Sequence, residues 1–204
     1  MDLIPFILIA GLALFFAIRL YSILGRRTGH EPEPGDLERV RAENERPALR
    51  PAFTGPAAAG MEGIRSADGV FDPESFVSGA VEAYKLIVDA FSRGDRGALE
   101  PLLAPEVMQR YASAIDAREA AGQTVETHVT TIRQAEIEDA SLKDGLARVE
   151  VRFEAEIATE TKNAEGETVE GDANQLRPVT ELWTFERLVD SPDPNWRLAK
   201  VRKG

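Results

Sequence analysis

Hydrophobic and polar positions along the 204-residue chain fall into three regimes. The first is "LIPFILIAGLALFFAI", Leu3 to Ile18, without a single charge. Continued through "RLYSI" it makes about twenty residues, or roughly 30 Å of helix, enough to cross a bilayer core. Arg19 lies one turn inside the far edge, where a long side chain snorkels to the headgroups, and Tyr21 sits at interfacial depth. A cleaved export signal is the competing reading. Against it, Met1 and Asp2 put no positive charge ahead of the apolar run, and no A-x-A-like site follows Ile18. Arg19, Arg26 and Arg27 at one end only give the asymmetry of a membrane anchor, with the N-terminus outside and everything downstream in the cytoplasm or, in a eukaryote, the mitochondrial matrix.

The second regime, Thr28 to Val70, is rich in Pro, Gly, Ala and charge and has no sustained apolar periodicity, so it reads as a flexible linker. The third begins at "FDPESF". Asp72 followed by Pro73 is an N-cap with the preferred first helical residue, and Phe76, Ala80, Tyr84, Ile87 and Phe91 recur at helical spacing until Gly94. A short helix and then a second one carrying Val107, Tyr111, Ala114 and Ile115 lead to Gly122. There the period changes from 3.6 to 2. In "LARVEVRFEAEIATE" apolar Val149, Val151, Phe153, Ala155 and Ile157 alternate with charge, as a half-buried antiparallel strand must. "THVTTIRQAEIEDASL" precedes it through the turn "KDG", and "VTELWTFERLVD" and "WRLAKVRK" follow, with "TKNAEGETVEGDANQLRP" as a long polar hairpin loop. The domains expected are therefore a 1–27 anchor, a 28–70 linker and a 71–204 α+β domain. Three helices followed by a four-stranded antiparallel sheet is the element order of the nuclear-transport-factor-2-like (cystatin-like) cone. Tyr84, Phe91, Phe153, Trp183 and Trp196 would line a cavity inside such a cone or fill its core.

Composition narrows the partners. The 35 acidic residues against 24 basic ones give a net charge of −11, which opposes binding to a nucleic-acid backbone. The acidity belongs to the third regime, where 26 acidic residues from Phe71 to Gly204 face 16 basic ones. With no Cys and two His, disulfides, thiolate chemistry and His- or Cys-ligated metal sites drop out, and no cofactor is expected.

The N-terminal span, "GRRTGHE" behind it, "GA…AY..IV.AF..GD...L..LL" from Gly79 to Leu103 and the closing "W.FER……W.L" together resemble the mitochondrial import inner-membrane translocase subunit 44-like family, in its bacterial single-pass form. The resemblance covers the anchor and Phe71 to Val201. It implies an adaptor or scaffold at the inner membrane, working in protein translocation or membrane complex assembly, with anionic lipid and a recruited chaperone as the partners of its relatives. The short linker departs from the longer chaperone-recruiting region of those relatives.

Individual residues offer fewer leads. Arg19, Arg26 and Arg27 are placed to meet anionic headgroups, at about 1 kcal/mol each near the surface. Thr28, Gly29, His30 and Glu31 are not needed for topology and form a candidate docking motif. Arg197, Lys200, Arg202 and Lys203 would make a basic lipid-facing patch on an otherwise acidic domain. For an isomerase- or dehydratase-like cone, the alternative function, Asp116, Glu119, His128, Tyr84 and above all Glu181 are the groups available. Alternation puts Glu181 on the face of Trp183 and Phe185, where desolvation would raise its pKa, whereas a rim carboxylate bonded to Arg177 or Arg187 would be structural.

Overall fold

A computed structural model describes residues 55–204. The expected anchor with Arg19, Arg26 and Arg27, the Thr28–Glu31 motif and most of the expected linker lie outside the described residues. Among the described residues no helix is long and apolar enough to cross a membrane.

The first helix, α1, runs Ala58–Ala67, inside the stretch that reads as linker. Its composition hides it, because only Met61 and Ile64 supply large apolar groups. They suffice because α1 presses its glycine side onto the sheet. A Cβ on Gly60 would stand 1.7 Å from the Ala140 carbonyl oxygen, so backbone meets backbone there, and Ile64 beside it is fully buried.

Helix α2, Pro73–Arg93, forms as its signals dictate. The Asp72 carboxylate accepts the Ser75 amide at 2.8 Å, Pro73 opens the helix, and Gly94 closes it at φ 71, a left-handed conformation in which a side chain would be strained. Its buried line is Phe76, Ala80, Tyr84, Ile87 and Ala90, with Phe91 half-buried. Helix α3, Arg96–Leu99, is capped by Asp95, and α4 spans Pro105–Ala120, burying Val107 and Ile115.

Five antiparallel strands follow rather than four: β1 Thr124–Lys143, β2 Leu146–Lys162, β3 Thr168–Gly171, β4 Arg177–Leu188 and β5 Arg197–Lys203. The sheet order is β1-β2-β4-β5, with β3 paired to the end of β2. The extra strand lies in the stretch expected to be a loop. Its polar residues give no period-2 signal because all four are exposed on both faces. In β2 the alternation is as expected: Ala147, Val149, Val151, Phe153 and Ala155 are buried against the helices. The opposite face carries cross-strand ion pairs, Arg202 with Glu150, Arg148 with Glu186, Arg152 with Glu138 and Arg133 with Glu156. The fold is thus α+β, helices on one face of a twisted antiparallel sheet, with the charged face wet.

At the end of α3 the chain adds a short parallel contact to the edge strand. The Leu198 amide donates to the Leu102 carbonyl at 2.8 Å, and the Ala104 amide donates to Leu198 at 2.9 Å. That contact, the loop before β5 and the segment after α1 all converge beside α2.

Candidate functional site

The five aromatics expected to line a cavity or fill the core do the latter, with Tyr84, Phe153 and Trp183 in the core and Phe91 and Trp196 packed against it in two further places. Tyr84, Phe153 and Trp183 pack together in the core, with centroids 4.8, 4.5 and 5.8 Å apart. Phe91 stacks on Tyr111 at 4.6 Å, beneath the Arg118 guanidinium. Trp196 stands elsewhere, against Phe76 at 4.9 Å and Phe71 at 5.9 Å.

This last group walls a half-open cleft of about 540 Å³. One wall is the face of α2 that carries Ser75, Gly79, Ala83 and Leu86, and the other is made by Phe71 and Trp196. Phe76 and Phe185 reach its base, and Pro101 and Leu102 close one end. The two buried charges here neutralise each other. Arg187 of β4 is ion-paired to Asp68, just past α1, with each side chain only 10% exposed. Trp196 also covers the Arg187 guanidinium at 5.2 Å. The cleft is therefore apolar and open on one side, with Val70 and Leu86 exposed on its margin. Its lining is mostly apolar, with the exposed Asp72 and Glu82 carboxylates at its edge.

Sequence reasoning found Trp196 and missed the rest of this site. Phe71 and Phe76 were legible as apolar, but the Arg187–Asp68 pair joins positions 119 apart in sequence. Nothing local signals such a pairing.

Glu181 faces inward with Trp183, as alternation requires, but its partners differ from the arginines considered. Its Oε2 accepts the Tyr84 hydroxyl at 3.0 Å and the Trp183 Nε1–H at 3.1 Å, whereas Arg177 bonds Gln175 and Arg187 bonds Asp68. Burial, and then the Glu181 charge, hold the Tyr84 hydroxyl well above the ordinary tyrosine range. The same two causes push Tyr111 up to about 12. Neither Tyr84 nor Glu181 lines the cleft. The other candidate acids are used in surface pairs: Asp116 and Glu119 both hold Arg96, and His128 meets Glu126 at 2.9 Å. Among the described residues no three acidic or imidazole groups come together as a metal site.

The basic group near the C-terminus is not one patch. Strand alternation sends Arg197, Lys200 and Arg202 to the charged face, opposite Glu186, Thr184 and Leu182, while Lys203 pairs with Glu181 on the other. Arg202 is bound to Glu150 at 2.6 Å and Arg197 to Asp193 at 3.5 Å. The Arg202 hydrogen bond, ahead of other causes, holds Glu150 below the usual carboxylate range.

Fold and cleft together define a small α+β domain with an open apolar surface. The model of the Tim44-like domain matches residues 57–203, and the chain belongs to that family. The match begins at α1, so the helix hidden in the apparent linker is part of the family domain. No curated protein matches the chain. Among solved structures, the intermembrane space region of the chloroplast protein ARC6 is 13% identical, covers 65% of this chain and 96% of its own, and aligns at a TM-score of 0.46. A conserved protein from Planctomyces limnophilus is 15% identical over 64% of this chain and 97% of its own, with a TM-score of 0.33. An NTF2-like family protein from Streptomyces avermitilis is 17% identical over 63% and 94%, also at 0.33. Scores this low leave the activities of those proteins without bearing on this one.

Proposed function

We propose that this protein is a membrane-anchored adaptor whose Tim44-like domain offers the cleft beside α2 to a protein partner. The observation that carries the reading is the cleft itself, open and with its buried Arg187 neutralised by Asp68, where Val70 and Leu86 are exposed and Trp196 is half-buried above the core aromatics Phe71 and Phe76. In the full proposal Met1 to Arg27 spans a bacterial inner membrane, or the mitochondrial one, with the domain on the cytoplasmic or matrix side. Anionic lipid then meets Arg19, Arg26 and Arg27, and Thr28 to Glu31 assist docking. Protein translocation or membrane complex assembly, with or without a chaperone, is the setting the family membership supports.

The competing reading, a ligand-binding or enzymatic cone, draws on the Tyr84–Glu181 hydrogen bond. Both donors to Glu181 are held within the aromatic core, and no cleft residue shares that carboxylate. That carboxylate is already engaged by two donors of the domain's own core, so the cleft is the better supported site.

Crosslinking and affinity purification of the full chain from its own membranes, beside a version lacking Met1 to Arg27 and a Trp196→Ala variant, test the proposal. Defined protein partners that require both the anchor and Trp196 are expected. A domain that purifies without protein partners but with a bound small molecule would overturn it. Domain contact with lipid is separately tested by flotation with anionic liposomes: neutralising Arg197, Lys200, Arg202 and Lys203 should reduce it, and unchanged flotation removes that element.

A further inference from the structure

We propose that the protein seated on the cleft is a second copy of this chain, the two α2 helices crossing antiparallel about a two-fold axis between Glu82 and Ala83. This rests on the reading of the cleft as a protein-docking surface. The first pointer is Gly79. It is exposed in the interior of a 21-residue helix, where glycine is disfavoured relative to alanine, yet a Cβ there would meet nothing within 4 Å. Nothing in the described domain uses the missing side chain. An incoming group does.

The second pointer is Leu86, an apolar side chain 56% exposed on the same helix face and the same cleft. An antiparallel crossing centred at Glu82 and Ala83 sets Leu86 of one copy over the Gly79 notch of the other, and the two-fold axis repeats the contact. Knob and notch thus lie on one surface, as an isologous interface requires. The cleft floor favours such an occupant, since Asp68 already neutralises Arg187 and an entering leucine strands no charge.

Charge gives the third pointer. The same crossing brings Arg93, at the C-terminal end of α2, opposite Asp72 and Glu74 at the N-terminal end, and Lys85 beside Glu82, each twice. Arg93 already meets Asp89 of its own helix at 2.8 Å, both side chains exposed, so in this crossing it is shared between Asp89 and the acidic N-terminal turn of the second copy. Lys85 meanwhile holds Glu82 within its own helix at 2.7 Å with both side chains exposed, a weak pair that exchanges readily across an interface. An acidic beginning meeting a basic end, with opposed helix dipoles, selects the antiparallel arrangement.

The natural chain has no cysteine, so one introduced thiol reports one contact. Ala83→Cys in the full-length protein, oxidised in its own membranes, should give a disulfide-linked homodimer at least tenfold more abundantly than Glu165→Cys at an exposed hairpin tip. Adding Gly79→Leu, which meets nothing within its own chain at Cβ, should reduce that yield about tenfold while the thermal unfolding curve is kept. Light scattering of the cysteine-free protein in detergent should show the same loss of dimer mass for Gly79→Leu. Equal crosslinking by the Ala83→Cys and Glu165→Cys variants, or a dimer indifferent to Gly79→Leu, overturns the second-copy proposal. If a bifunctional thiol-reactive linker on Ala83→Cys instead captures a different polypeptide, the second copy is ruled out while the cleft keeps its role as a docking surface. Capture of neither removes both.

Discussion

Gly60→Ala is the sharpest test of how α1 is held. In a solvated helix this change stabilises by up to about 1 kcal/mol, because alanine is the better helix former. Here the new Cβ would lie 1.7 Å from the Ala140 carbonyl oxygen and 2.2 Å from its carbon, against an ordinary contact of at least 3.4 Å. The obstacle is strand backbone, Ala140 paired opposite Val149, and cannot rotate away, so α1 must lift by roughly 1.5 Å, more than enough to forfeit half the dispersion well of its contacts. Ile64 and Met61 are the side chains that lose their seats. Full burial of each is worth about 1.5–3 kcal/mol, so losing half to most of both costs roughly 3 kcal/mol. Subtracting the propensity gain leaves a net loss of about 2 kcal/mol, or a fall in Tm of roughly 4–8 °C for a domain of this size. Thermal and urea unfolding of the variant measure this directly. Gly63→Ala is the control in the same helix, since its Cβ would meet Leu142 at an ordinary 3.9 Å. It should leave stability unchanged or raise it. If Gly60→Ala matches Gly63→Ala, the close approach of α1 to β1 is wrong and the stretch before Phe71 returns to being a linker.

The contrast between these two glycines also shows what the sequence could and could not disclose. Helix α2 was legible because cap, proline, apolar period and terminal glycine all agree within one segment. Strand β2 was legible because one face is core and the other solvent, so burial and charge alternate along it. Helix α1 was not, because its stability is tertiary: two side chains and a glycine that makes sense only once Ala140 is beside it. Strand β3 was not, because its four residues are exposed and held only by pairing to Glu160, Thr161 and Lys162 of β2. The site divides in the same way. Alternation correctly turned Glu181 toward the interior, but a period along one strand cannot say whether Tyr84 or an arginine waits there. It likewise marked five aromatics as inward, which they are, but could not say that they pack in three separate groups, since neither a helix nor a strand period fixes which residues of other elements they meet.

Three further perturbations follow from the hydrogen bonds and ion pairs. Asp68→Asn strands the buried Arg187 guanidinium and should cost about 3 kcal/mol, with much of the loss recovered in the Asp68→Asn, Arg187→Met double variant. A coupling energy in urea unfolding no larger than the few tenths of a surface pair would show that the pair is solvated. Ser92→Ala removes an Oγ that donates to the Val125 carbonyl and accepts the Thr127 amide, both at 2.9 Å. About 2 kcal/mol of stability should go, with faster hydrogen exchange at Thr127, and an unprotected Thr127 in the parent protein would refute it. The third concerns alkaline pH. Tyr111 is pushed up to about 12, so the folded state holds its phenolic proton more tightly than the unfolded chain, whose tyrosines titrate near 10. Its contribution is therefore complete below about pH 10 and is lost as pH rises from there toward 12. Tyr111→Phe cannot ionise, so its stability should fall less steeply than that of the parent across that window when urea midpoints are compared. Parallel slopes for the two proteins would mean that the Tyr111 hydroxyl is hydrated in the native state, and that neither burial nor the Glu181 charge acts on it.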